Sequence, residues 1–287
     1  MLTINRRYFI SYLPDWVVLA VVAAASWGIG SAAPYNRDFS LQDNTIKHAI
    51  HPDTIPFYAA VLISFIFPLF VIAGLSYYKS ASWYAVHIGV LSITLTQVIT
   101  LFFTSVIKNL AGRPRPDFLA RCIPDLSKIN DYTGFGPIPN SKDPFMGFYN
   151  RAICTNTDKS ILYNGMRSFP SGHASASFCG LIFLSLFLAS HLRLYNGKGY
   201  VYKAVLVSIP PLVASIIAVS RTFDNRHHWQ DVLIGSILGS LIAFFCYYIY
   251  YPNLSSFTPF SDRFDKDNYS DVRSNERMDI QHSISPV

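Results

Sequence analysis

Six long apolar stretches dominate this 287-residue sequence and restrict it to folds that a membrane can hold. Each is close to the length of about 20 apolar residues that an α-helix needs to cross the hydrocarbon core. Because a backbone in lipid must satisfy its own hydrogen bonds, we predict an all-α integral membrane protein with six transmembrane helices. The stretches cover residues 16–33, 57–78, 83–107, 174–192, 204–219 and 232–251.

Two of these stretches are less regular than the others. The fifth is short and contains Pro210 and Pro211, which a transmembrane helix tolerates when neighbouring helices re-satisfy the freed carbonyls. The first has an alternative interpretation as a signal peptide, since Arg6 and Arg7 precede it and small residues occupy 31–33. Its long leader contains aromatic residues at positions 8, 9 and 12, so we favour a retained helix.

The overall composition agrees with a surface that faces lipid. Charged residues make up 14% of the chain, whereas a soluble domain contains about 25%. The net charge of +6 is not gathered into one long basic run, so we expect no nucleic-acid partner. No CxxC or other metal-ligand spacing occurs, and we therefore predict neither a metal nor another cofactor.

The order of the helices places three polar clusters on one side of the membrane. Counting crossings brings together the end of the third helix, the start of the fourth and the end of the fifth. The first cluster contains Lys108 and Arg115, which are seven residues apart and share a face if the helix continues that far. Two such cations suit a phosphate dianion, but positive charges that merely flank a transmembrane helix are the alternative.

The second cluster, residues 168–173, stands directly before the fourth helix. Ser171 and Gly172 at a helix start leave backbone N–H groups free to bind an anion. His173 is positioned there to deliver a proton to a leaving oxygen. An ordinary helix cap explains Ser171 equally well.

The third cluster, residues 220–231, follows the fifth helix and is rich in Arg, His and Asp. His227 and Asp231 are four residues apart, so on a helix the carboxylate reaches the imidazole ring. A carboxylate on one ring nitrogen fixes the tautomer and leaves the other nitrogen free to attack phosphorus. The alternative is a polar belt at headgroup level that Trp229 anchors.

The three clusters read Lys-x6-Arg-Pro, Pro-Ser-Gly-His and Ser-Arg-x5-His-x3-Asp in chain order. In this order and spacing they resemble the three-part signature of the type 2 phosphatidic acid phosphatase (PAP2) superfamily. The flanking residues at 115–122 and 224–232 resemble the lipid phosphate phosphatase branch, and most of all its fungal diacylglycerol pyrophosphate phosphatases. The resemblance covers residues 10–252 and implies a PAP2/haloperoxidase-like helical core.

The resemblance also implies how the phosphate is bound. Lys108, Arg115 and Arg221 are expected to bind the phosphate oxygens and the charge that grows in the transition state. Ser171 and Gly172 are expected to add hydroxyl and backbone N–H contacts.

Three further signature residues carry catalytic roles by the same resemblance. His227 is expected to attack phosphorus and form a phosphohistidine, with Asp231 holding its ring. His173 is expected to protonate the leaving group and later to activate water. Cys122 and Cys154 lie in the long polar loop between the third and fourth helices, and a disulfide between them is expected if that loop faces an oxidising compartment.

The activity implied is that of a Mg²⁺-independent phosphatase whose partner is a phospholipid in the bilayer. It would convert diacylglycerol pyrophosphate to phosphatidate and phosphatidate to diacylglycerol, and would also act on lysophosphatidate. Three converging cations agree with metal independence, since phosphoryl transfer without Mg²⁺ requires other positive charge. The alternatives are a phosphatase of the same fold for polyprenyl pyrophosphate or sphingoid-base phosphate, and a membrane transporter, whose polar residues would be spread along the helix centres.

Residues 1–252 are expected to form the six-span phosphatase domain, and residues 253–287 a polar, disordered tail without apolar periodicity. Basic residues concentrate in the short loops on the N-terminal side of the membrane. The positive-inside rule then puts both termini in the cytosol and the active site in the lumen or outside the cell. We expect the membrane to be an endomembrane (vacuole, Golgi or endoplasmic reticulum) or the plasma membrane.

Overall fold

Six long helices form the body of the protein, and shorter elements lie at one end of the bundle. The computed structural model describes residues 6–128, 134–135 and 147–254. The long helices are each long and apolar enough to span a membrane, which confirms the predicted six-helix architecture. In chain order the helices are α1 (Arg6–Ser31), α2 (Phe57–Ser80), α3 (Trp83–Ala111), α4 (Phe118–Cys122), α5 (Lys159–Gly165), α6 (Gly172–His191), α7 (Val201–Phe223) and α8 (Trp229–Tyr250), of which α4 and α5 are short.

The two prolines of α7 do not interrupt it. Pro211 has no N–H to donate to the carbonyl of Val207 four residues earlier, and the Ser185 hydroxyl of α6 donates to that oxygen instead, at 2.7 Å. α7 is therefore continuous and longer than the predicted stretch at 204–219.

A proline in α2 is accommodated in the same way. α2 contains a π-helical turn at Leu62–Ile66, and Pro68 leaves the Ser64 carbonyl without its helical donor. Gln97 of α3 donates its Nε2 to this carbonyl at 3.1 Å and to the Ala176 carbonyl of α6 at 3.2 Å. One side chain thus connects α2, α3 and α6 inside the bundle.

α6 is the central helix of the bundle. In the most apolar 18-residue segment of α6, 67% of the residues are buried, against 11–39% in the corresponding segments of the other five long helices. Phe183, Leu184 and Phe187 of α6 pack with Ile72 of α2 and Ala214 of α7 in the main hydrophobic core. At the N-terminal end of α6, next to His173, Ala174 packs with Ala218 of α7 and Val232 of α8.

A small cap of residues 34–56 and the described part of 112–171 lies at the end of the bundle where α3 ends and α6 begins. Its three short strands pair antiparallel in the order β1-β3-β2, where β1 is Phe39–Ser40, β2 is Gly134–Phe135 and β3 is Gly147–Tyr149. Phe39, Phe118 and Tyr149 form a second hydrophobic core around the Cys122–Cys154 disulfide. We predicted only loops here, because elements of two to seven residues carry no readable periodicity.

The chain ends are described only in part. The predicted tail at 253–287 lies outside the described residues except for its first two. At the other end, α1 packs on α3 through Tyr12, Leu19, Ile88 and Leu91.

The contact between Gly180 of α6 and α2 depends on the absence of a side chain. A Cβ at this position would overlap the Ser64 carbonyl and the Gln97 amide. Gly180→Ala is therefore expected to destabilise the bundle by about 1–3 kcal/mol and to lower the thermal midpoint in detergent by several degrees. Gly74→Ala in α2, where a Cβ meets nothing within 4 Å, is the matched control and should leave the midpoint unchanged. Equal midpoints for the two variants would contradict this account of the packing.

Candidate active site

A polar cavity of about 470 Å³ lies where the ends of α3 and α7 meet the starts of α6 and α8. Six of the predicted site residues line it: Lys108, Arg115, Gly172, His173, Arg221 and His227. Its other lining residues are Asp53, Phe57, Arg121, Ser160, Ile161, Asn164 and Arg226. The two remaining predicted residues, Ser171 and Asp231, are fully buried (0% exposed) behind this lining.

Lys108 and Arg115 reach the cavity from different pieces of the backbone. The condition for a shared helix face, a helix that continues to Arg115, is not met, because α3 ends at Ala111 and Gly112 adopts a left-handed conformation with φ of 52°. The chain turns away from the helix axis there, and the Arg115 N–H donates to the Gly165 carbonyl at 2.8 Å. Arg115 therefore enters the cavity from the cap.

Both of these cations lack a carboxylate partner. Among the described residues, no ion pair joins Lys108 or Arg115 to an acidic side chain, and Arg115 Nε is buried without a hydrogen-bond partner. Burial and then repulsion by Arg121 lower the pKa of Arg115 to about 9. Because that shift reflects the cost of holding the charge in the cavity, a bound anion would relieve it.

His227 is buried and held in one tautomer. Its Nδ1 lies 2.6 Å from the carbonyl oxygen of Ser168, and a carbonyl only accepts, so Nδ1 carries the proton and donates it. The lone pair is therefore on Nε2. Burial, followed by the positive charges of Arg115 and Lys108, holds the pKa of His227 well below its usual value, so the ring is neutral at pH 7.

Asp231 does not hold His227 directly, and this part of the prediction is wrong. The expected contact assumed one helix through both residues, but α8 begins at Trp229 with His228 as its N-cap. Asp231 lies in the first turn of α8, where its carboxylate accepts from the His228 backbone N–H at 3.1 Å and lies 3.2 Å from His228 Nδ1. Its other oxygen accepts from Arg113 Nη1 at 2.6 Å.

Ser168 connects Asp231 to the histidine. Its hydroxyl donates to the Asp231 carboxylate, while its backbone carbonyl accepts from His227. We did not anticipate this role for Ser168, or the ion pair of Arg113 with Asp231, from the sequence. The 63-residue separation of Ser168 and Asp231 leaves no local signal, although Ser168 directly precedes the second cluster.

The N-terminal end of α6 supplies the remaining predicted residues. The Ser171 hydroxyl accepts from the Ala174 N–H at 3.4 Å and caps the helix, in agreement with the helix-cap alternative. A Cβ on Gly172 would lie 3.4 Å from Lys108 Nζ, so glycine keeps the space beside that ammonium group open. His173 contacts the Phe57 ring edge-on at a centroid distance of 5.6 Å, and its Nε2 has no partner among the described residues.

Six charged side chains form an alternating network, and four of them, Asp53, Arg121, Arg221 and Arg226, line the cavity. In spatial order they are Asp224, Arg221, Asp53, Arg226, Asp117 and Arg121, and the five successive contacts measure 2.7, 3.1, 2.9, 3.2 and 2.6 Å. Three arginines and three aspartates balance each other. Lys108 and Arg115 therefore carry the positive charge that no carboxylate of the described residues offsets, whereas Arg221 lines the same cavity with its charge balanced.

The described part of the chain contains no group of three or more His, Cys, Asp or Glu side chains that would hold a metal ion. The cavity offers the neutral imidazole of His227, a second histidine (His173), the cations Lys108 and Arg115, and the N–H groups at the start of α6. Together they can bind a dianion and present a nitrogen nucleophile to it.

Residues 88–255 match the family model of the PAP2 superfamily, and the chain belongs to this superfamily. Lipid phosphate phosphatase 2 of Arabidopsis thaliana is 34% identical over 274 residues, which cover 95% of this chain and 87% of the relative. The probable diacylglycerol pyrophosphate phosphatase 1 of Schizosaccharomyces pombe is 37% identical, with 86% of this chain and 84% of that protein covered.

A second fungal relative, diacylglycerol pyrophosphate phosphatase 1 of Saccharomyces cerevisiae, is 30% identical over 94% of this chain and 89% of its own length. A solved PAP2-type phosphatidylglycerolphosphate phosphatase from Bacillus subtilis is 17% identical, covers 82% of this chain and 92% of its own, and has a TM-score of 0.39. The sequence relatives place the chain in the lipid phosphate phosphatase branch, and the protein is a phosphatase embedded in a membrane.

The Ser168 contacts generate a kinetic prediction. The Ser168 hydroxyl binds Asp231, and the Ser168 carbonyl accepts the Nδ1 proton of His227. Ser168→Ala removes the hydroxyl, so the residue that orients the His227 ring is held less firmly, while every contact to the phosphate remains. We expect kcat to fall about tenfold with little change in KM. Ser177→Ala is the control, because the Ser177 hydroxyl donates to carbonyls of its own helix. An unchanged kcat in Ser168→Ala would show that the hydrogen bond between Ser168 and Asp231 does not contribute to catalysis.

Proposed function

We propose that the protein removes phosphate from lipids without Mg²⁺, by way of a phosphohistidine. Its substrates would be diacylglycerol pyrophosphate, phosphatidate and lysophosphatidate, giving phosphatidate, diacylglycerol and monoacylglycerol respectively. The observation that carries the proposal is the neutral His227 beside two cations without carboxylate partners, Lys108 and Arg115. Two positive charges match the dianion of a terminal phosphate.

In the first step, the lone pair of His227 Nε2 forms a bond to phosphorus while the bond from phosphorus to the leaving oxygen breaks. Protonated His173 donates its proton to that oxygen, so that an alcohol, or phosphatidate from a pyrophosphate, departs. The phosphorylated ring of His227 keeps its Nδ1 proton on the Ser168 carbonyl. The positive charge on the ring is also favoured by Asp231, which is held to Ser168.

In the second step, neutral His173 accepts a proton from water as the water oxygen attacks phosphorus. The bond between phosphorus and Nε2 breaks, the electron pair returns to His227, and inorganic phosphate leaves. His173 is protonated again and ready for another cycle. Both steps place negative charge on the three remaining phosphate oxygens, where Lys108, Arg115, Arg221 and the N–H groups at the start of α6 stabilise it.

The proposed site would lie in the lumen or outside the cell, with both termini in the cytosol. Arg193 and Lys198 lie in the connection between α6 and α7, at the end of the bundle opposite the cavity, and Lys79 and Lys203 lie in the adjoining terminal turns of α2 and α7. The positive-inside rule expects such basic residues on the cytosolic side. The Cys122–Cys154 disulfide within the cap favours an oxidising compartment at the other side. We propose an endomembrane or the plasma membrane as the location.

Polyprenyl pyrophosphates and sphingoid-base phosphates are the substrates that compete with this proposal. They present the same terminal phosphate to the same cations, so the cavity by itself does not distinguish them from glycerolipid phosphates. Relatives named for lipid phosphate and diacylglycerol pyrophosphate favour the glycerolipids.

The proposal predicts hydrolysis of phosphatidate in detergent micelles with EDTA present, because the cavity supplies its own positive charge. His227→Asn is expected to lower kcat by about a thousandfold or more and to abolish a base-stable, acid-labile phosphoenzyme after rapid quenching with labelled substrate. His48→Asn, in an exposed part of the cap, is the control and should retain both signals.

Loss of wild-type activity in EDTA that Mg²⁺ restores would refute the metal-independent mechanism. Full activity of His227→Asn would refute the assignment of the nucleophile.

A further inference from the structure

The mouth of the cavity is formed by those of its lining residues that are exposed. They come from two segments, the residues that lead into α2 and the short helix α5, and they are Asp53, Phe57, Ser160, Ile161 and Asn164. Phe57 is the first residue of α2, which is long and apolar enough to span the membrane. The mouth therefore opens at the depth of the lipid headgroups, where a spanning helix begins.

Each of the two segments contributes one large apolar side chain to the mouth. Phe57 is 56% exposed and Ile161 is 40% exposed, and every other described residue that lines the cavity is charged or polar apart from Gly172. A polar cavity of about 470 Å³ suits a phosphate group but not acyl chains, so the chains of a bound lipid must leave it through the mouth. Phe57 and Ile161 are the side chains that gain free energy when such a chain covers them.

Phe57 also touches the residue that would protonate the leaving oxygen. Its ring meets the His173 ring edge-on, with the two centroids 5.6 Å apart. To donate a proton, His173 must lie within hydrogen-bond distance of the leaving oxygen. In phosphatidate and lysophosphatidate that oxygen belongs to the glycerol, so the carbons next to it come close to the Phe57 ring.

We propose that Phe57 and Ile161 bind the glycerol backbone and the first acyl carbons of phosphatidate and lysophosphatidate. This contact selects phosphates that are attached to an apolar chain. The inference rests on the proposed function. The cations inside the cavity attract a phosphate whatever it is attached to, so they do not supply this selection. The two apolar side chains supply it, because only a lipid removes their surface from water.

The test compares the kinetics of phosphatidate hydrolysis in detergent micelles with the inhibition constant of orthovanadate, which resembles the phosphoryl group but has no chain. Phe57→Ser is expected to raise KM for phosphatidate about fivefold to tenfold, with little change in kcat or in the inhibition constant. Phe57→Leu keeps an apolar side chain and should retain a KM near that of the wild type. Phe223→Ser is the control, because Phe223 is 74% exposed at the same end of the bundle but does not line the cavity, and all three constants should stay unchanged.

A second variant, Ile161→Ser, leaves the contact between Phe57 and His173 in place. It is expected to raise KM about threefold at an unchanged inhibition constant, and it decides the question if Phe57→Ser does not fold. An unchanged KM in either folded variant would overturn the proposal. A fall of kcat at unchanged KM in Phe57→Ser would also overturn it, since the ring would then act only on His173. A wild-type protein inactive on phosphatidate would overturn the proposed function instead.

Discussion

Two positive charges without a counter-charge are the constraint on which the site depends. Lys108 and Arg115 face a cavity in which every other arginine of the charged wall has an aspartate partner. An unpaired charge in a confined space is costly unless a ligand of opposite sign completes it. The same two cations, with burial, keep His227 neutral. Phosphate binding and nucleophile activation therefore have one physical origin.

The rigid bundle makes this arrangement possible, because the charges come from elements far apart in sequence. α6 is the most enclosed helix, and its N-terminal end brings His173 to the cavity. Gln97 and Ser185 bind carbonyls that prolines leave free, and they join α6 to α2, α3 and α7. Where lipid offers no hydrogen bonds, such contacts hold the helices in a defined relation to each other.

Much of the fold could be predicted from the sequence. The six helices follow from apolar length alone, and counting crossings brought the three polar clusters to one end, where six of the eight predicted site residues line a single cavity. The errors occurred at helix ends. Lys108 and Arg115 do not share a helix, because Gly112 ends α3, and His227 precedes the helix that contains Asp231. Spacing rules assume a continuous helix, and that assumption fails where functional residues concentrate.

Residues that act through tertiary contacts could not be predicted from the sequence. Ser168 meets Asp231 across 63 residues, and Asp53 meets Arg221 across 168 residues. Neither pairing leaves a periodic or local pattern, and the cap that positions Asp53 is built from elements too short to recognise. Composition and motif order indicate which residues carry the chemistry. The three-dimensional arrangement is needed to see which residues hold them in position.

The structure of the protein with bound orthovanadate, which takes the geometry of phosphoryl transfer, tests the central claim most directly. We predict vanadium bonded to His227 Nε2, equatorial oxygens on Lys108 and Arg115, and the opposite apical oxygen facing His173. Vanadate bound through His228, or bound elsewhere while Lys108 and Arg115 stay without an anion, would contradict the account.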